Sequence, residues 1–145
     1  MISASPPRED GPSAARNAAD GAKKTILVVD DNQEILYFMQ IALEGAGYDV
    51  RTAKEGSQAL DEQTKRPADL LITDIFMPGQ DGIETLRASK MRFPQTRVIV
   101  MSAGGGTSRE LDYLSAARLI GANATLHKPF ELNELLDTVR RLLQS

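Results

Sequence analysis

Residues 69–74 read DLLITD, an aliphatic run closed by an aspartate and followed, after Ile75 and Phe76, by the turn-forming Met77-Pro78-Gly79. A half-buried strand alternates apolar and polar residues, whereas an unbroken apolar run fits a strand covered on both faces of its sheet. The signature recurs upstream in residues 25–30 (TILVVD) and downstream in residues 97–101 (RVIVM). Residues 48–53 (YDVRTA) alternate as a strand does, and residues 123–127 form a last short one.

The stretches between these strands have helical spacing. Residues 32–45 bring Ile35, Met39 and Ala42 to one side and stop at Gly45 and Gly47. Residues 55–66 form a polar helix halted before Pro67, and residues 82–92 a helix with Ile83, Leu86 and Lys90 spaced for one face. Residues 108–121 carry Leu111, Leu114 and Arg118, and residues 131–143 are amphipathic, with Leu132, Leu135, Leu136, Val139, Leu142 and Leu143. Five strands alternating with five helices predict a parallel sheet with helices on both faces.

This pattern is expected to occupy residues 23–145 as one domain. Residues 1–22 are mostly Ala, Pro, Ser and Gly, with Met1 and Ile2 as the large apolar side chains, and are expected to form a disordered tail. Arg8 and Arg16 would suit a targeting peptide, but Glu9, Asp10 and Asp20 would not. The chain ends with the fifth helix, so no second domain that would carry an output is expected.

Composition narrows the function. Seventeen basic against twenty acidic residues give a formal net charge of −3, so non-specific adhesion to DNA or anionic membranes is not expected. The absence of cysteine removes disulfides and thiolate zinc sites, and the lone His127 removes multi-histidine metal centres. No apolar run approaches the ~20 residues of a membrane span. A cytoplasmic acidic domain is expected.

In an open α/β sheet, ligands bind beyond the carboxyl ends of the strands. The strands here deliver Asp30-Asp31, Asp74, Ser102 and Lys128 to that rim, while the second strand delivers Ala53. Each has an ordinary reading: Asp30-Asp31 as helix caps, Asp74 as a turn former, Ser102 with Gly104-Gly105-Gly106 as loop, Lys128-Pro129 as a solvated strand end. Independent capping does not explain one of each chemical kind at consecutive strand ends. Two carboxylates a few ångströms apart repel by about 4 kcal/mol at an effective dielectric of 20, so three at one site call for a cation. All-oxygen ligation with few protein ligands suits Mg²⁺, which shares its shell readily with phosphate. Asp74, alone at the end of the central strand, is the candidate nucleophile for an acyl phosphate. Lys128 would balance charge on the phosphoryl oxygens and the Ser102 hydroxyl would hydrogen-bond one of them.

Taken in order, Asp30-Asp31 after an apolar strand, Asp74 through Gly82 (DIFMPGQDG), Met101-Ser102-Ala103 and Lys128-Pro129-Phe130 resemble the receiver domain of two-component response regulators, over about residues 24–143. The resemblance implies a flavodoxin-like (βα)₅ fold of strand order 2-1-3-4-5. It implies phosphorylation of Asp74 by a histidine kinase or phosphotransfer protein, with the receiver catalysing the transfer rather than turning over an external substrate. Asp31, Asp74 and the backbone carbonyl of Phe76 would ligate Mg²⁺ directly and Asp30 mostly through water; Ser102 would be the switch hydroxyl and Lys128 the family's lysine. The Lys128–Pro129 bond is expected to be cis. Output would pass to a downstream protein or onward as a phosphoryl group, without nucleic acid or membrane, from a monomer or a weak homodimer formed through the fourth and fifth helices.

The chain also departs from the family pattern. Thr125 stands where an aromatic switch residue is usual, and the segment from Ser102 to Lys128 is longer than common and opens with three glycines. Phosphorylation is therefore expected to reorder that loop and the fourth helix rather than rotate an aromatic ring. Phe76 and Gly104 fall where side chains screen the phosphoryl group from water, with opposing effects. His127 is expected to be a partly exposed structural residue, and Asp81 and Glu84 to support the turn and helix start. Two other functions fit less well. An Mg²⁺-dependent phosphohydrolase needs a second acid two residues after the nucleophile, where Phe76 stands, and an inert pseudo-receiver normally lacks a site residue.

Overall fold

The computed structural model describes residues 23–77, 80–103 and 108–144. Five strands and five helices alternate: β1 (Thr25–Val29), α1 (Gln33–Gly45), β2 (Asp49–Ala53), α2 (Gly56–Lys65), β3 (Leu70–Asp74), α3 (Gly82–Arg92), β4 (Arg97–Ser102), α4 (Ser108–Ile120), β5 (Ala124–His127) and α5 (Leu132–Leu143). The strands are parallel in the order β2-β1-β3-β4-β5, so the strand order reverses beside β1. This is the flavodoxin-like order that the family resemblance implied. After β3, Phe76–Met77 pairs antiparallel with Gln80–Asp81 in a small separate ladder.

The reason for the unbroken apolar runs is visible in the two cores. Alternate residues of each strand face opposite sides: Leu27, Val29, Leu71, Val98 and Val100 pack with Ala59, Leu86, Leu114 and Ala117 of α2, α3 and α4. Ile26, Val28, Leu70, Ile72, Ile99 and Met101 pack with Leu36, Met39, Leu43, Leu135 and Val139 of α1 and α5. Every residue of β3 is buried, as befits the central strand.

Two helices turn differently from their predicted faces. In α1 the buried residues are Leu36, Met39 and Leu43, with Ile35 and Ala42 only partly covered. The helix is apolar on nearly every side, so its period alone did not select the face. In α4 the buried stripe is Glu110, Leu114 and Ala117, while Leu111 and Arg118 are exposed. α3 and α5 bury Ile83 and Leu86, and Leu135 and Val139, as their spacing predicts.

Candidate functional site

The rim is built by register. Val29 pairs with Thr73, Asp74 with Met101 and Ser102 with His127, so the central strands end at one height and their next residues share one edge. Helix capping does not consume the first two aspartates. Asn32 is the N-cap of α1, its side chain accepting from the backbone N–H groups of Glu34 and Ile35, at 2.9 and 3.3 Å. Asp30 accepts from the Asn32 backbone N–H at 2.9 Å and keeps its other oxygen for the rim.

Asp30, Asp31 and Asp74 come together there, each offering an oxygen within 4.8 Å of the other two. Asp30 and Asp74 are buried and Asp31 is exposed. Lys128 reaches in from the end of β5: its Nζ donates to Asp30 Oδ2 at 2.6 Å and to Asp74 Oδ2 at 3.2 Å. The Lys128–Pro129 bond is cis, and the Lys128 backbone N–H donates to the Ser102 carbonyl at 2.8 Å. Burial raises the Asp74 pKa above the ordinary 3.8; the Lys128 charge works against that shift and the Asp30 charge adds to it. Burial alone would lower the Lys128 pKa, but its hydrogen bond to Asp30 and the charges of Asp74 and Asp30 outweigh it and hold the ammonium above the usual lysine value.

Ser102 is fully buried at the end of β4, and its hydroxyl lies 2.8 Å from His127 Nδ1. His127 is exposed, and its contact with the Ser102 hydroxyl was not foreseen from the sequence. The signal lay in the β4–β5 register, which the sequence does not print. Phe76 sends its backbone N–H to Asp74 Oδ1 at a long 3.4 Å. Its ring meets Tyr113 of α4 edge-on at 4.8 Å between centroids, with the Arg109 guanidinium over both rings. Gly82 was not singled out either. A Cβ there would collide with the Asp74 carbonyl and lie 2.7 Å from Ile75 Cα, so only glycine lets α3 start against the end of β3. Gly104, Gly105 and Gly106, on which the loop-reordering expectation falls, lie outside the described residues.

Beside the rim, Ile35, Phe38, Ala103, Lys128, Pro129 and Phe130 line a cavity of about 400 Å³. It adjoins a larger groove of about 640 Å³ between α1 and the start of α5, walled by Tyr37, Phe38, Ile41 and Leu132. Tyr37 is 65% and Ile41 54% exposed. The apolar surface therefore gathers on α1 as well as on Leu111 and Leu119 of α4.

A doubly wound sheet of this order with an acidic rim is the architecture of CheY-like receivers. The chain belongs to the response regulator receiver domain family, whose model matches residues 26–140. Such domains work in two-component systems, and phosphorylation on aspartate is characteristic of them. The chain is 38% identical over 118 residues to sporulation initiation phosphotransferase F of Bacillus subtilis (strain 168), covering 81% of this chain and 92% of that protein. It is 40% identical over 119 residues to the transcriptional regulatory protein CpxR of Escherichia coli (strain K12), covering 82% of this chain but 49% of CpxR. Against the DNA-binding transcriptional regulator NtrC of Klebsiella pneumoniae it is 37% identical over 116 residues, spanning 80% of this chain and 24% of NtrC. Among solved structures it resembles the chemotaxis response regulator CheY4 of Vibrio cholerae, with a TM-score of 0.76 and 30% identity over 84% of this chain and 100% of that one. A signal receiver domain of an HD domain-containing protein from Pseudomonas fluorescens Pf-5 gives a TM-score of 0.80 at 28% identity, covering 88% of this chain and 92% of that one.

Proposed function

We propose that this receiver is a phosphorylation switch in which Asp74 accepts a phosphoryl group from a histidine kinase or phosphotransfer protein. The observation that carries the reading is the convergence of Asp30, Asp31 and Asp74 on one rim with Lys128 bridging two of them. One ammonium against three carboxylates leaves the cluster anionic, and its donor set is all oxygen, which fits Mg²⁺. Asp31, Asp74 and the Phe76 carbonyl would hold the ion directly, with Asp30 acting mostly through water. When bound, it would neutralise the carboxylates and the oxygens of an incoming phosphate.

An Asp74 carboxylate oxygen attacks phosphorus, the bond from phosphorus to the donor imidazole nitrogen breaks, and that electron pair leaves with the imidazole, which picks up a proton. Lys128 follows the charge from the carboxylate to the phosphoryl oxygens, and the Ser102 hydroxyl donates to another of them. The domain is a signalling phosphoacceptor and not an enzyme on an external substrate. Output passes to a downstream protein or, as the name of the phosphotransferase it nearly spans suggests, onward as a phosphoryl group.

Incubating the protein with Mg²⁺ and phosphoramidate and weighing it intact tests this. One phosphoryl adduct is expected, absent in Asp74→Ala and without Mg²⁺. An adduct that survives in Asp74→Ala overturns the assignment.

A further inference from the structure

His127 and Ser102 are register partners on neighbouring parallel strands, so their side chains leave the sheet on the same face. The Ser102 hydroxyl is fully buried and its partner among the described residues is His127 Nδ1 at 2.8 Å. A buried hydroxyl needs an acceptor for its proton. The imidazole is exposed, so its Nε2 can keep a hydrogen and donate it to water, which leaves Nδ1 as the lone-pair acceptor. Thr125, two residues earlier on the same face of β5, has no ring that could serve instead.

We propose that His127 is the positioning residue of the Ser102 hydroxyl: Nδ1 holds the hydroxyl proton in the unphosphorylated chain, and that bond must break for Ser102 to serve a phosphoryl group on Asp74. A serine hydroxyl has one proton, and two acceptors compete for it. The neighbouring Lys128 holds the carboxylates, so consecutive residues of one strand end restrain the two polar halves of the rim. The inference rests on Asp74 being the phosphoacceptor.

The test is nitrogen NMR of the His127 ring in the full chain, with and without Mg²⁺ and beryllofluoride, beside the beryllofluoride affinity of His127→Leu and His127→Asn. In the unloaded chain Nδ1 should show an unprotonated, hydrogen-bonded signal that Ser102→Ala shifts to that of a free acceptor. Loading wild type should produce the same shift. Without a competing acceptor His127→Leu should bind beryllofluoride about fivefold tighter, and His127→Asn, which keeps an acceptor oxygen at similar reach, should return to the wild-type affinity. A ring signal that loading leaves unmoved, a protonated Nδ1 in the unloaded chain, or a His127→Leu affinity within twofold of wild type overturns the inference. Should His127→Leu fail to fold, the wild-type ring signal with and without loading still decides. Failure of wild type to bind beryllofluoride at all would overturn the Asp74 reading instead, and the effect of Ser102→Ala on the unloaded ring separates the two failures.

Discussion

Lys128 stands between two buried or nearly buried carboxylates, 2.6 Å from one and 3.2 Å from the other. Replacing it with methionine leaves Asp30 and Asp74 facing each other without a cation. Breaking a buried ion pair by removing one partner costs about 3–5 kcal/mol. Lys128→Met should accordingly lower the unfolding free energy by about 3 kcal/mol in chelator, measured by urea titration, with part of that loss restored by millimolar Mg²⁺. Asp74 carries the opposite sign. Its pKa is raised on folding, so the associated stability is fully present below the unfolded value and is lost as pH rises through the native one. At neutral pH its charge is a net cost to the metal-free fold. Asp74→Asn should therefore melt a few degrees above wild type at pH 7 in chelator, and the two midpoints should converge below about pH 4. Asp30, Asp31, Asp74, Ser102 and Lys128 could be singled out in the sequence because each stands at or just beyond the end of a strand-like run. His127 and Gly82 were not, because their roles depend on which strand lies beside β5 and how closely α3 approaches β3.

Between elements, Gly82 decides how α3 meets β3. An added methyl would strike the Asp74 carbonyl and Ile75, backbone atoms that cannot swing aside. Gly82→Ala should cost about 3 kcal/mol of stability and slow phosphoramidate labelling at millimolar Mg²⁺, because Asp74 must shift to make room. Under the proposed phosphotransfer, the exposed apolar face of α1 would be the docking surface for a phosphodonor. Phe38 lines both the groove along α1 and the cavity that ends at Lys128, so a phosphodonor helix lying there would reach the rim. Phe38→Ala should reduce transfer from a phosphorylated histidine-containing protein by at least tenfold while labelling by phosphoramidate stays within twofold. Equal losses with both donors would show instead a disturbed rim. The exposed side of α1 was not legible in the sequence, because a helix apolar on nearly every side does not show which residues the sheet will cover. Leu36, Met39 and Leu43 turn inward, leaving Tyr37 and Ile41 outside.

For the molecule as a whole, the alternation of apolar runs with helical stretches predicted a parallel doubly wound sheet, and the observed order β2-β1-β3-β4-β5 supplies the reversal at which ligands bind. That order was not readable from periodicity, which is blind to which strands become neighbours; it came with the family resemblance. Among the described residues no helix is long and apolar enough to cross a membrane. The two cores explain why three strands had to be apolar on both faces, and the shared strand ends explain why chemistry distributed over residues 30 to 128 meets at one edge. Borohydride reduction of the phosphorylated chain, followed by peptide mapping, locates the acyl phosphate, since reduction converts that aspartate alone to homoserine. Homoserine at position 74, formed only after labelling with Mg²⁺ and phosphoramidate, is expected; homoserine at 30, 31 or any other aspartate would contradict the site.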